Sequence, residues 1–155
     1  MLAGEQTIDE IVLNPLSWYA EHGITLHLGK TVTKVDRTRR LVIADDGRGQ
    51  VIEAGYDRLL IATGSLPFIL LVPGKDLTGV IAYRDIADTN EMNATAKTHQ
   101  HAVVIGGGLL GLEVANGLML RGMQGTVVHI APWRMERQLD DVAGGLLRAS
   151  LEARG

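Results

Sequence analysis

The chain has 155 residues, enough for one or two small domains, and 46% of them are apolar, which suffices for a core. Its net charge of −3 argues against nucleic acid as a main partner, and the lack of cysteine excludes disulfides, dithiol chemistry and cysteine-held metal centres within these residues. No stretch approaches the roughly 20 apolar residues that span a bilayer, and the acidic start is unlike a secretory signal. We therefore expect a cytoplasmic chain with no membrane or nucleic-acid partner.

The first third of the chain predicts a short helix and an antiparallel β-meander. Asn14 is a candidate N-cap for the helix, Pro15 suits its first position, and Gly23 suits its end. The runs that follow alternate partly between apolar and polar residues, which is typical of strands with one wet face. These β-rich runs are ITLHLG (24–29), TVTKVDR (31–37) and RLVIADDG (40–47).

Two further segments lead into the second half. Leu59 to Ala62 form a short apolar run, which predicts a strand buried on both faces and ending at Thr63 and Gly64. Residues 65–80 contain two prolines and two glycines and indicate a crossover. A helix is predicted over 83–100, with Asp85 near its start.

A glycine-rich turn then separates an apolar strand (102–105) from a helix-like segment, and a second strand is predicted over 126–130. Gly106, Gly108 and Gly111 satisfy the GxGxxG spacing. The first glycine permits a tight turn, the second lets a pyrophosphate approach the backbone, and the third lets the helix pack closely on the strand. The helix N-terminus offers N–H groups and a positive dipole end to phosphates. The unit predicts dinucleotide binding, with a plain βαβ unit as the alternative.

The end of the second strand departs from the NAD-type pattern, in which an acidic residue bonds the ribose hydroxyls. His129 stands there, and Arg134 follows closely enough to pair with a 2′-phosphate, so NADPH is permitted while NADH stays open. An ordinary strand-end histidine is the alternative for His129. Glu113, expected in the first helical turn, either favours the helix N-terminus by its charge or faces the cofactor.

A last helix is predicted over 140–155. Asp140 is its candidate cap, whereas Gly144 and Gly145 weaken it. No side chain in the chain stands out as an acid–base catalyst, and no metal site is predicted.

The segment YDRLLIATGS (56–65) resembles the strand and ATG motif of the class I pyridine nucleotide oxidoreductases, which hold two dinucleotides. In these flavoprotein reductases the motif lies where the chain leaves the FAD domain for the NAD(P)H domain. Segments 13–47, 67–88 and 131–155 are similar to the flavoprotein region of the large subunit of assimilatory NAD(P)H-dependent nitrite reductases. Rubredoxin and ferredoxin reductases share the ATG and glycine motifs and resemble the flanking segments less well.

The resemblance implies an α/β chain: part of a three-layer, Rossmann-like FAD/NAD(P)-binding fold with an antiparallel β-meander. Residues 1–66 would be the carboxyl-terminal part of an FAD-binding segment, residues 67–80 the crossover, and residues 81–155 the first half of an NAD(P)H-binding domain. The family's first glycine motif would precede residue 1, and a later Gly–Asp motif would follow residue 155. The chain is therefore interpreted as a fragment.

The resemblance also implies cofactor contacts. Val32 would meet the FAD adenine through its backbone, Glu113 would face the nicotinamide end, and His129 would face the adenosine ribose. The residues expected against FAD are Ala62, Thr63 and Gly64. Those expected to cradle the NAD(P)H pyrophosphate are Gly106, Gly108, Leu109, Leu110 and Gly111.

The implied function is to position NAD(P)H for hydride transfer to FAD within a nitrite reductase large subunit, the chain alone being inactive. Sirohaem and iron–sulfur centres would belong to parts outside this chain. The implied partners are the remainder of the parent polypeptide and a small reductase subunit. The alternatives are a ferredoxin or rubredoxin reductase, and a stand-alone nucleotide-binding module without turnover.

Overall fold

The computed structural model describes residues 1–155. Contacts along the chain divide it into two units: Val12–Ser65, and Met1–Ile11 together with Leu66–Gly155. The regular elements, in chain order, are α1 (Leu16–Glu21), β1 (Thr31–Asp36), β2 (Leu41–Asp45), β3 (Val51–Gly55), α2 (Ile86–Thr95), β4 (His101–Ile105), α3 (Leu109–Leu120), β5 (Gln124–Val128) and α4 (Asp141–Glu152), after a short 3-10 helix at Asp9–Ile11.

The unit of residues 12–65 contains α1 and an antiparallel sheet in the order β1-β2-β3. Aspartates shape both of its turns. The Asp36 carboxylate accepts hydrogen bonds from the backbone N–H groups of Thr38 and Arg39, and Asp46 accepts from those of Arg48 and Gln50. Such local bonds fix a turn without long-range packing. The antiparallel pairing of the three strands confirms the predicted meander.

The meander differs from its prediction in which residues form it. The run 24–29 is not a strand, and Val51–Gly55 is the third strand instead. The Asp46 turn explains the difference, because it folds β3 directly back onto β2 and pairs Asp45 with Val51. Residues 24–29 alternate in polarity but do not form a strand, because no neighbouring strand pairs with them.

Two other expectations for this unit are wrong. Leu59 to Ala62 form no strand, and Leu60 is 87% exposed. A strand is buried on both faces only when neighbours flank it, and neither sheet of this chain includes these residues. The N-cap of α1 is Pro15, whose carbonyl accepts from Trp18 N–H, rather than Asn14. Gly23 does end the helix, with a positive φ of 65°.

The other unit is built on the parallel pair β4-β5, with α3 as the crossover. Its buried apolar core is formed by residues of β4, α2 and α3, by the residue before β5 and by the start of the chain. These residues are Leu2, Met92, Val104, Val114, Leu118 and Met123. The predicted cap of α4 is confirmed, and Asp85, expected near the start of its helix, caps α2. Asp85 and Asp88 form a reciprocal capping box on α2, and Asp140 accepts from Ala143 N–H at the start of α4.

Strand β5 begins and ends two residues earlier than predicted, because its register follows β4 from His101–Gln124 to Ile105–Val128.

The two units are defined by contacts, whereas the predicted ranges 1–66, 67–80 and 81–155 are defined by expected cofactor role. That domain assignment therefore stays a prediction.

The longest helices contain 12 residues, and none is long and apolar enough to cross a membrane.

Candidate nucleotide-binding site

The glycine turn joins β4 directly to α3. The Gly106 N–H donates to the Val128 carbonyl at 2.8 Å, so the pairing with β5 continues to the first glycine of the turn. Gly106 then adopts a φ of 122°, a conformation that L side chains rarely adopt. A Cβ added to Gly111 would overlap the Gly106 carbonyl oxygen, so a side chain there would push α3 off the turn. Both glycines therefore have the structural roles predicted for them.

The N-terminus of α3 is open. Gly108 is its N-cap, with extended backbone, and no side chain caps the helix. A Cβ on Gly108 would meet nothing within 4 Å. The backbone N–H groups at this end precede the first intrahelical bond, which runs from Leu112 N–H to the Gly108 carbonyl. This end therefore has free space, unused donors and a positive dipole end, which together fit a phosphate group.

Gly107, the central glycine of the turn, is packed against the segment that follows β5. Its N–H donates to His129 Nδ1 at 3.0 Å, and its carbonyl accepts from Met135 N–H at 3.1 Å. A Cβ at this position would lie 2.6 Å from Arg134 Cδ. The His129 side chain is 8% exposed, and its Nε2 lies 2.9 Å from Glu136 Oε2. The turn is thus supported from the β5 side by several contacts.

Glu113 is the fifth residue of α3, so the expectation that it lies in the first turn is wrong. The Tyr83 hydroxyl donates to Glu113 Oε1 across 3.4 Å. Burial raises the pKa of Tyr83, and the neighbouring Glu113 carboxylate adds to the rise. Both side chains line a cavity of about 330 Å³ that also includes Leu110, on the first turn of α3. The structure thus brings Leu110 and Glu113 to one cavity beside the open helix end.

The residues expected to contact FAD lie in the unit of residues 12–65. Val32 is on β1 and 56% exposed, and the β1-β2 register shifts between Val32 and Lys34. Such a bulge interrupts strand pairing and is frequent beside binding sites. Ala62 and Thr63 are exposed and without regular structure, and Gly64 has a φ of 71°. No hydrogen bond joins Val32 to residues 62–64.

Three contributors to the site were missed by sequence reasoning: Gly107, Tyr83 and Glu136. Gly107 lies inside the motif, but the pattern GxGxxG leaves its position open. Tyr83 lies 30 residues before its partner Glu113, and no spacing rule links them. Glu136 lies seven residues after His129, in irregular chain that carries no periodicity. No sequence pattern identifies the last two.

The chain is similar over nearly its whole length to known reductases and electron-transfer proteins. Nitrite reductase [NAD(P)H] of Bacillus subtilis is 51% identical over 155 residues, which is 100% of this chain and 19% of that protein. The assimilatory nitrate reductase electron transfer subunit of the same organism is 44% identical over 155 residues, again all of this chain and 20% of that protein. The crystal structure of NADH:rubredoxin oxidoreductase from Clostridium acetobutylicum is 28% identical and matches with a TM-score of 0.82, covering 99% of this chain and 39% of that one.

The chain thus spans about a fifth of the length of these two curated relatives. Its fold is the α/β fold of FAD/NAD-binding reductases, as predicted. The family profile described as pyridine nucleotide-disulphide oxidoreductase matches residues 2–155. The chain belongs to the pyridine nucleotide-disulphide oxidoreductase family.

Proposed function

We propose that this chain is part of an FAD-dependent NAD(P)H oxidoreductase of the nitrite reductase type, in which it binds NAD(P)H and orients it toward FAD. The observation that carries the proposal is the open N-terminus of α3, with no side-chain cap and free space at Gly108. The identity of 51% to a nitrite reductase over the whole chain supports that type of parent enzyme.

Bound NAD(P)H would supply a hydride, and FAD would accept it. The backbone N–H groups of Leu109, Leu110 and Gly111 would hold the pyrophosphate, since they begin α3. The Glu113 carboxylate, with Tyr83 as its donor, would orient the nicotinamide end from the neighbouring cavity. The residues that follow His129 would meet the adenosine ribose.

In this proposal Val32 and residues 62–64 belong to the FAD side. The exposed backbone at the β1 bulge and the irregular segment 62–64 leave polar main-chain groups available to a ligand. The natural partners would be the other parts of the parent polypeptide and a small reductase subunit. A reductase that serves rubredoxin is the second candidate, favoured by the likeness to NADH:rubredoxin oxidoreductase at 28% identity.

The proposal is tested by calorimetric titration of the chain with NADH and NADPH. We expect Gly108→Val to weaken binding by at least about tenfold, about 1.4 kcal/mol, because its side chain would occupy the phosphate approach. The fold should tolerate valine, since a Cβ there meets nothing within 4 Å and the backbone is extended. Unchanged denaturant unfolding would verify this.

The matched control is Gly145→Ala on α4, where a Cβ also meets nothing within 4 Å. This variant should bind both cofactors as the unmodified chain does. Binding of neither cofactor by the folded, unmodified chain would overturn the proposal. Undiminished binding by Gly108→Val would show that the ligand does not approach the α3 N-terminus.

A further inference from the structure

Both ring nitrogens of His129 are occupied by the protein itself. The Gly107 N–H can only donate, so His129 Nδ1 accepts that bond with its lone pair. The ring proton of the neutral imidazole is therefore on Nε2, from which it donates to Glu136 Oε2 at 2.9 Å. With its side chain only 8% exposed, His129 has no polar atom left for a ribose hydroxyl. The ring instead links the glycine turn to Glu136.

The Glu136 carboxylate remains accessible and charged. Its side chain is 35% exposed. A hydrogen bond from its own backbone N–H lowers its pKa, and the bond from His129 lowers it further. A carboxylate whose pKa lies below the usual value, about 4.3, is ionised at neutral pH. An anion therefore lies across the His129 ring from the glycine turn, although the residue next to β5 is a histidine.

The segment that carries Glu136 is fixed by its own contacts. Met135 has a φ of 57°, which is uncommon outside glycine, and its N–H donates to the Gly107 carbonyl. Trp133 Nε1 donates to the Leu139 carbonyl at 3.0 Å. A strained backbone that is held on both sides is typical of a functional position. The location of the carboxylate is thus set by the fold rather than by a free loop.

Resting on the proposed nucleotide function, we infer that Glu136, positioned by His129, is the ribose-binding acid of this unit and makes it prefer NADH over NADPH. In nucleotide-binding βαβ units the ribose lies at the end of the second strand, where an acid accepts bonds from its hydroxyls. The same charge repels a 2′-phosphate. Glu136 fills this role from seven residues beyond the usual position.

Arg134 is the residue that would oppose this preference. Its side chain lies over Gly107 and lines a cavity of about 190 Å³ together with residues of α3, β5 and α4, including Arg148. A guanidinium that turned toward the ribose would pair with a 2′-phosphate. If Arg134 determined the cofactor specificity, the chain would prefer NADPH, whereas Glu136 would make it prefer NADH. Comparing the affinities for the two cofactors therefore distinguishes the two residues' effects.

The experiment measures the dissociation constants of the chain for NADH and NADPH by calorimetry. The variant Glu136→Gln removes the charge but keeps a carbonyl oxygen as acceptor for His129. The unmodified chain should bind NADH at least about tenfold more tightly than NADPH, and Glu136→Gln should lower this ratio by about tenfold, given a charge lost within a few ångströms of the phosphate. The control Glu91→Gln, an exposed residue on α2, changes the net charge equally and should leave the ratio within about twofold.

A second readout does not depend on cofactor. Nitrogen NMR of the His129 ring in the unmodified chain should show the proton on Nε2; a proton on Nδ1 would overturn the link to Glu136. If the chain binds both cofactors and Glu136→Gln leaves their ratio unchanged, or Glu91→Gln changes it as much, the assignment is wrong while the proposed function stands. Binding of neither cofactor overturns both.

Discussion

At the scale of single residues, Tyr83 and Glu113 form a polar pair at the edge of the candidate site. Their oxygens lie 3.4 Å apart, and burial is the larger cause of the raised pKa of Tyr83, followed by the Glu113 charge. Desolvation and a neighbouring anion both disfavour the phenolate. Tyr83 therefore stays a neutral donor, able to hold the carboxylate in one orientation.

This pair can be tested by optical titration. The difference in phenolate absorbance between the unmodified chain and Tyr83→Phe should titrate with a midpoint above pH 10, the ordinary value for tyrosine. In a Glu113→Gln background the same difference should titrate lower, but not return fully to 10, because burial remains. An identical midpoint with and without the Glu113 charge would contradict the pairing.

Gly111 gives a second prediction at this scale. Its Cβ would overlap the Gly106 carbonyl oxygen, a backbone atom that cannot rotate away. Gly111→Ala should therefore lower the free energy of unfolding by about 1–3 kcal/mol, measured with urea, as overpacking does in cores. Gly108→Val, three residues earlier, serves as the comparison, since open space surrounds that position. Equal stability of Gly111→Ala and the unmodified chain would show that α3 can move away from the turn at little cost.

At the scale of elements, α4 contains two adjacent glycines in different surroundings. A Cβ on Gly144 would lie 2.6 Å from Trp133 Cδ1, whereas a Cβ on Gly145 would meet nothing within 4 Å. Gly144 thus leaves room for the tryptophan ring against the helix. Gly145 has no such role, and it gives the helix only the entropic cost of glycine.

We expect the two substitutions to have opposite signs. Gly145→Ala should raise the free energy of unfolding by about 0.5–1 kcal/mol, from helix propensity. Gly144→Ala should lower it by about 1–3 kcal/mol, because the methyl group and the ring cannot both fit. Urea unfolding followed by circular dichroism measures both. A stabilising Gly144→Ala would mean that Trp133 moves away from α4 without loss.

The elements that could be predicted from the sequence are those whose cause is local. Asp140 is predictable as a cap, and Asp85 as a residue near a helix start, because an aspartate before a helix bonds N–H groups within three residues. The unit β4-α3-β5 was predictable because its glycines and apolar periods lie in one short segment. Strands 24–29 and 59–62 were wrong because a strand forms only beside a partner, which its own residues do not specify.

The candidate site likewise contains features that the sequence predicts and features that it does not. The roles of Gly106 and Gly111 in the turn followed from the motif. The support of that turn by His129 and Glu136 did not, since it depends on how Met135 orients the chain after β5. The expected cofactor contacts stay predictions until binding is measured.

At the scale of the whole molecule, the first residues of the chain belong to the unit that holds the glycine turn. Leu2 is 5% exposed and part of its core, and it lies over α3, where a Cβ on Gly117 would come within 2.7 Å of Leu2 Cγ. The Arg121 guanidinium donates to the carbonyls of Met1 and Leu2. A contact across more than 100 residues of sequence thus closes this unit.

Leu2→Ala should therefore destabilise the unit of the glycine turn by about 2–4 kcal/mol, the cost of a core cavity. The chain has two tryptophans, and Trp133 lies in this unit, so its fluorescence in a Trp18→Phe background reports the unfolding of this unit in urea. Leu13→Ala is the matched control, because Leu13 is 93% exposed and its loss should change stability by less than about 0.5 kcal/mol. If Leu2→Ala left the Trp133 transition unmoved, the Leu2 side chain would contribute nothing to this unit's stability. A shift confined to Leu2→Ala would instead mean that Leu2 stabilises the unit that holds the glycine turn. The reason is that α3, whose N-cap is Gly108, packs on Leu2 in the core.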